Sequence, residues 1–126
     1  MPIKMKRWND PVESSDGFRL LVCRYRPRAL RKEAETWDAW MKELGPSRAL
    51  HGDWYGKHGP PITLDEFKRR YLQEMEAQTT RIRELAERVA AGTPITLLCS
   101  SACVDASRCH RTLLRGLIEE HIARGK

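Results

Sequence analysis

The sequence predicts an α/β fold, with a small, mainly parallel sheet and flanking helices in a Rossmann-like three-layer or incomplete sandwich. Two apolar runs, within residues 18–25 and 95–99, are typical of strands buried on both faces. A long helical pattern lies between them, and parallel strands need such a crossover. The length of 126 residues suits a single domain spanning residues 1–126.

The first half of the chain contains two predicted strands and one predicted helix. Ile3 and Met5 alternate with lysines and predict a short opening strand, and turn residues separate it from the strand over residues 18–25. A helix is predicted before Gly45-Pro46, because apolar residues recur there at i, i+3, i+4 and i+7. Residues 50–58 predict a turn or loop. The apolar positions of the predicted helix are Trp37, Trp40, Met41 and Leu44.

The second half predicts a long helix, a buried strand and a final helix. Thr63-x-x-Glu66 matches a capping box, and helical periodicity continues over residues 64–91 until Gly92 supplies a C-cap. The strand over residues 95–99 follows. The last helix is predicted from the periodicity of Leu113, Leu114, Leu117, Ile118 and Ile122.

The charge balance predicts the class of partner. The chain has 23 Lys and Arg against 17 Asp and Glu, for a net charge of +6. This excess favours an anionic small molecule or nucleic acid as partner, although solubility alone also accounts for it. No apolar run approaches the roughly 18 residues of a membrane helix, so no membrane partner and a cytoplasmic location are expected. The oligomeric state stays open.

The main candidate site is the segment CSSACVDASRCHR, residues 99–111, between the last strand and the last helix. If Ser107 is the N-cap, Arg108, Cys109 and His110 lie in the first helical turn. Unpaired amides and the positive end of the helix dipole would then form an anion site. Arg108 or Arg111 could add a bidentate contact to that anion.

The same segment predicts thiol chemistry. A helix N-terminus lowers the pKa of a cysteine, so Cys109, or alternatively Cys103, is a candidate nucleophile with His110 as acid or base. In the alternative interpretation, Cys99 belongs to the strand core, Cys103 is a loop thiol and Cys109 packs the helix. The chain has four cysteines, and a cluster of this kind in the cytosol is typically reactive, metal-binding or simply reduced.

A zinc site is the other interpretation of the same residues. Cys99, Cys103, Cys109 and His110 would supply enough ligands for a tetrahedral site. Adjacent residues such as Cys109 and His110 rarely both reach one ion, however. The sequence therefore predicts neither a metal site nor another cofactor.

A second arginine group follows the strand over residues 18–25. Alternate residues of an extended segment point to opposite sides, so Arg24 and Arg28 are expected to reach one ligand while Arg26 faces elsewhere. A surface basic loop paired with acidic residues is the alternative. Because ligands bind at the carboxyl ends of strands in open α/β sheets, both arginine groups are candidate anion contacts.

Several segments in order along the chain carry a family resemblance. They include Trp8-Asn9-Asp10-Pro11, residues 16–22, Arg24-Tyr25-Arg26-Pro27-Arg28, residues 40–47 and 66–71, and Cys109-His110-Arg111. With these, the chain resembles the domain of unknown function 488 (DUF488) family in its short YeaO-like branch. The resemblance implies a compact α/β fold and transfers no established reaction. Retention of Cys109-His110-Arg111 favours the candidate site at residues 99–111 over the one at Arg24 and Arg28.

The sequence therefore leaves three functions open. The leading prediction is binding of a phosphorylated or other anionic ligand, including a nucleotide or nucleic acid, at the carboxyl ends of the strands. The alternatives are a cysteine-dependent enzyme acting on an anionic substrate and a non-catalytic protein-interaction module.

Overall fold

Four parallel strands form the sheet of the fold. The computed structural model describes residues 3–28, 30–100 and 108–124. The strands are β1 (Ile3–Arg7), β2 (Phe18–Leu21), β3 (Ala39–Trp40) and β4 (Ile95–Cys99). Their order is β1-β4-β2-β3, and each pair of neighbours is parallel. This confirms the predicted α/β fold. Every residue of β4 is buried, because β4 lies between two other strands.

Four α-helices supply most of the core that covers one face of the sheet. They are α1 (Arg48–Trp54), α2 (Leu64–Met75), α3 (Thr79–Ala90) and α4 (His110–Arg124). All four contribute buried residues to one apolar cluster with alternating residues of the strands. Within the described ranges, none of the helices is both long and apolar enough to cross a bilayer. The strand residues of this cluster are Ile3, Leu20, Ile95 and Leu97, joined by Val22 just after β2.

Among the described residues, connecting segments rather than further helices supply the packing of a second, smaller cluster. It contains Leu21 and Leu98, with Trp8 and Trp37 packed against it. Successive residues of a strand point to opposite faces, so Leu20 and Leu21 belong to different clusters. The sequence predicted either a three-layer or an incomplete sandwich, and the described residues form the incomplete sandwich, with helices on one face of the sheet.

The prediction of a helix from Trp37 to Leu44 is wrong. The segment instead contains β3 and a 3₁₀ turn over Lys42–Leu44. Trp37 packs in the smaller cluster, whereas Met41 and Leu44 pack in the larger one. The helical spacing was misleading because these side chains serve two different clusters. The Met41 amide donates to the Leu21 carbonyl at 2.9 Å and so holds the segment as an edge of the sheet.

Other boundaries also differ from the predictions. Residues 48–54 form α1 rather than a loop, because Ser47 caps the helix and Leu50 is buried in the core. The long helix begins at Leu64 after Thr63, whose Oγ1 accepts from the Glu66 amide at 3.1 Å. It is divided into α2 and α3 by a 3₁₀ turn over Glu76–Gln78. β2 ends at Leu21, four residues before the predicted end.

A buried carboxylate anchors the segment between β1 and β2. The Asp16 side chain is 1% exposed and forms ion pairs with Lys4 at 3.1 Å, with Lys6 at 2.9 Å and with Arg19. Its carbonyl accepts from Thr96 Oγ1 on β4 at 2.8 Å. The next residue, Gly17, has φ 64°, and a Cβ there would lie 2.1 Å from the Pro94 carbonyl oxygen. A glycine is required at this position because both the backbone and the contact exclude a side chain.

Candidate functional site

A cavity of about 100 Å³ lies at the carboxyl edge of the sheet. It is formed where β2 and β4 end and where α1 and α4 approach them. This volume is close to that of three water molecules, so it suits a small oxyanion or one end of a larger ligand. The described residues that line it are Cys23, Arg24, Tyr25, Pro46, His51, Trp54, Tyr55, Phe67, Cys99, Ser100, Arg108, Cys109 and His110.

His110 is held in one orientation behind the cavity. Its Nε2 lies 2.8 Å from the Val22 carbonyl oxygen, just after β2. A carbonyl can only accept, so Nε2 carries the hydrogen, and in the neutral imidazole Nδ1 is then the acceptor. Nδ1 lies 3.9 Å from Cys109 Sγ. The backbone thus selects the tautomer in which His110 can accept the thiol proton.

Cys109 Sγ lies among groups that stabilise a thiolate. Arg111 donates to it from Nε at 3.2 Å and from its backbone amide at 3.5 Å. A guanidinium and an amide directed at one sulfur favour its negatively charged form, because hydrogen bonds to an ion are stronger than those to a neutral thiol. Cys109 is buried yet lines the cavity. A small molecule in the cavity can therefore meet this sulfur.

Tyr71 packs beneath His110, with the ring centroids 5.5 Å apart. Burial, first, and then negative charge on Cys109 and Cys99 raise the pKa of Tyr71 well above its usual value. Its hydroxyl donates to the Leu44 carbonyl at 2.7 Å. Tyr71 therefore stays protonated and supports the His110 ring without taking up a proton.

The same residues offer the donor set of a soft metal ion. One ligand atom from each of Cys99, Cys109 and His110 can be chosen so that all three lie within 4.8 Å of one another. Adjacent residues such as Cys109 and His110 were not expected to reach one ion, yet the fold brings them together. Two thiolates and an imidazole fit zinc, and the bond from Nε2 to Val22 resembles the outer contacts of metal-bound histidines.

The predicted arginines separate into three groups. Arg24 and Arg108, from the two predicted arginine groups, both line the cavity. Arg24 is positioned by a bond from Nε to the Pro46 carbonyl at 2.9 Å, and Arg108 lies 5.2 Å above the Trp54 ring. Arg28 is exposed and lies outside the described lining. Arg111 is buried, and besides Cys109 it contacts the Lys6 carbonyl.

Sequence reasoning missed His51 as a site residue. It lies on α1, which was predicted as a loop, and its ring packs between Tyr25 at 4.9 Å and Tyr55 at 4.6 Å. Burial lowers the pKa of His51, and the positive charges of Lys57 and Arg24 lower it further. Within the described chain its buried Nδ1 has no hydrogen-bond partner. The periodicity of Leu50 and Trp54 was the signal that could have revealed this helix.

Comparison with known proteins assigns the chain to a family. A family model described as the active DUF488-N3 subclade matches residues 3–122. The chain belongs to this family. The match covers every element of the sheet and the whole described lining of the cavity, so the site belongs to the DUF488-N3 domain itself.

Two relatives of this DUF488-N3 chain carry the name of uncharacterized proteins. The uncharacterized protein YeaO of Escherichia coli (strain K12) is 38% identical over 101 residues, which is 80% of this chain and 84% of YeaO. The uncharacterized protein Rv3073c of Mycobacterium tuberculosis (strain H37Rv) is 31% identical over 118 residues, covering 92% of each chain. No solved structure gave a significant match.

Two predicted site residues, Cys103 and Ser107, lie outside the described residues of this DUF488-N3 chain. The N-cap at Ser107 therefore stays a prediction, and α4 begins at His110 in the described part of the chain.

Proposed function

We propose that the protein is a thiol-dependent enzyme acting on a small anionic group, with Cys109 as nucleophile. One observation carries this proposal: Cys109 Sγ faces an acceptor nitrogen of His110 and a donor nitrogen of Arg111, at the wall of a cavity. A positioned base next to a nucleophile is the arrangement that activates thiols in enzymes.

The cavity supports an anionic substrate. Arg24 and Arg108 contribute guanidinium groups from two separate elements, and such groups bind carboxylates and phosphates. Within the described chain, only Nε of Arg24 has a hydrogen-bond partner, which leaves its terminal nitrogens for a ligand. The anionic part of the substrate would lie between these arginines and the sulfur.

The proposed reaction moves one proton between Cys109 and His110. The thiol proton passes to His110 Nδ1, and the sulfur attacks the electrophilic atom of the substrate. A bond from sulfur to that atom forms, the bond to the leaving group breaks, and the leaving group takes the proton from Nδ1. A water molecule then gives a proton to His110 Nδ1 and attacks the same atom, the bond from that atom to sulfur breaks, and the sulfur takes back the proton. Arg111 stabilises the thiolate before attack.

Binding without chemistry is the second candidate function. It rests on the arginines and aromatic rings at the cavity, where Tyr25 and Tyr55 are exposed and Arg108 lies over Trp54. Aromatic rings and arginines together bind planar anionic groups such as nucleotides. A binding protein of this kind requires the arginines but not a reactive sulfur, so thiol reactivity separates the two functions.

The first test is the rate of iodoacetamide labelling of each cysteine from pH 5 to pH 9, read by mass spectrometry. We expect Cys109 to label at least tenfold faster than Cys23 at pH 6, because a stabilised thiolate persists at low pH. Cys23 is the matched control, since it lines the same cavity and is also buried. Equal, slow labelling of both cysteines would contradict a nucleophilic Cys109 and leave the binding function.

The second test measures protection of Cys109 by inorganic phosphate. Phosphate is expected to slow labelling of the native protein, and Arg24→Gln or Arg108→Gln should remove most of this protection. Arg28→Gln is the control, because Arg28 is an exposed arginine of the same segment outside the described cavity lining. Protection that survives both cavity substitutions would show that these arginines do not hold the anion.

A further inference from the structure

We infer that Cys99 and Cys109 form a redox pair that reduces hydroperoxides. Cys109 would react with the peroxide, and Cys99 would resolve the product as an intramolecular disulfide. This inference rests on the nucleophilic Cys109 of the proposed function, and it adds a second substrate class and a second reacting residue to the same site.

The two sulfurs come from different elements that meet at the cavity. Cys99 is the last residue of β4, and Cys109 directly precedes α4. Their sulfur atoms lie within 4.8 Å of each other, and both residues are present as thiols that line the cavity. A disulfide requires about 2 Å between the sulfurs, so the proposed link forms when the two side chains close this separation.

The surroundings assign different roles to the two thiols. Cys109 receives hydrogen bonds from Arg111 and faces His110, so its thiolate is stabilised. Cys99 is the second thiol of the three-residue cluster with Cys109 and His110, and it is also buried. Cys23 lies outside this cluster, and its Sγ donates to the Tyr25 carbonyl at 3.1 Å.

The proposed steps balance. The Cys109 thiolate attacks the O–O bond of a hydroperoxide ROOH, and with one proton this yields the sulfenic acid and ROH. The Cys99 thiol then attacks the sulfenic sulfur, a disulfide forms and water leaves. The dithiol loses two electrons and the peroxide gains them. An external dithiol returns the pair to its reduced form by thiol–disulfide exchange.

The test treats the full chain with one equivalent of hydrogen peroxide and maps disulfides by mass spectrometry without reduction. Trypsin places Cys99 and Cys103 on one fragment, residues 89–108, and Cys109 on another, residues 109–111. The experiment therefore uses Cys103→Ser as its background, so that a link between the fragments identifies Cys99. We expect this link to form and to be reversed by dithiothreitol.

Two further variants separate the roles in the same background. Cys99→Ser should abolish the link and lead Cys109 to the sulfinic acid, because the sulfenic acid is then not resolved. Cys23→Ser should leave the link unchanged. Iodoacetamide labelling of the same variants before oxidation reports whether Cys109 has kept its reactivity, and circular dichroism reports whether each has folded.

Three results would overturn the inference. A fast-labelling Cys109 that forms no link to Cys99 would refute the redox pair while leaving the proposed nucleophile intact. A Cys109 that neither labels quickly nor oxidises would refute both. Stoichiometric zinc in the purified protein, with Cys99 and Cys109 labelled only after chelation, would assign the same sulfurs to a metal and also refute both.

Discussion

Replacing Asp16 with asparagine should lower the free energy of unfolding by about 3 kcal/mol or more. The carboxylate is buried and forms ion pairs with Lys4, Lys6 and Arg19, and Arg19 is itself buried. An asparagine keeps the shape but removes the negative charge that these three cations share. Urea unfolding followed by circular dichroism measures the loss.

The control for this substitution is Glu13→Gln. Glu13 also pairs with Lys6, at 2.7 Å, but its side chain is 59% exposed. Exposed pairs contribute little because water and salt screen them. We expect no resolvable change in stability for this variant, and an equal loss in the two variants would contradict the special role of Asp16.

The pH dependence of stability should also change in Asp16→Asn. Burial alone would raise the pKa of Asp16, but hydrogen bonds from Lys6, the Glu13 amide and Lys4 hold it well below its usual value. A depressed pKa in the folded state contributes stability that is complete above the unfolded pKa of about 4 and is lost as the pH falls below it. The variant should therefore lose less stability than the native protein between pH 5 and pH 2.

Replacing Arg111 with methionine should slow iodoacetamide labelling of Cys109 by about tenfold or more at a pH low enough that the thiol is mostly protonated. A hydrogen bond to a charged group contributes about 1.5–3 kcal/mol, and 1.36 kcal/mol corresponds to one pKa unit. Loss of the contact from Arg111 Nε to Cys109 Sγ should thus shift the equilibrium from thiolate towards thiol by about tenfold or more. The labelling rate against pH measures this shift.

A structural contribution of Arg111 must be separated from its effect on the sulfur. Arg111 also contacts the Lys6 carbonyl on β1, so Arg111→Met is expected to destabilise the fold as well. Labelling is therefore measured where circular dichroism shows the variant to be folded, and is expressed relative to Cys23. Arg115→Met, one turn further along α4, is the control. An unchanged Cys109 rate in folded Arg111→Met would show that the guanidinium does not activate the thiol.

The pattern of the sequence predicted the central part of the fold correctly. The apolar run of β4 and the start of α2 at its Thr63 cap depend on neighbours in the chain, so local rules were sufficient. The segment from Trp37 to Leu44 was misjudged because its apolar side chains pack into two clusters on different parts of the sheet. Local periodicity does not record which cluster a side chain joins.

By itself, the sequence determined the α/β class, the family resemblance and the presence of reactive residue types at the last strand-to-helix junction. Only the tertiary structure decided how these residues meet. The Val22 carbonyl, 88 residues away in the chain, sets the tautomer of His110, and α1 brings His51 to the same cavity. Arg111 turns inward to Cys109 and Lys6, while Arg24 and Arg108 remain at the cavity. The physical reason is that hydrogen bonding and burial depend on contacts in space, which residue spacing along the chain does not specify.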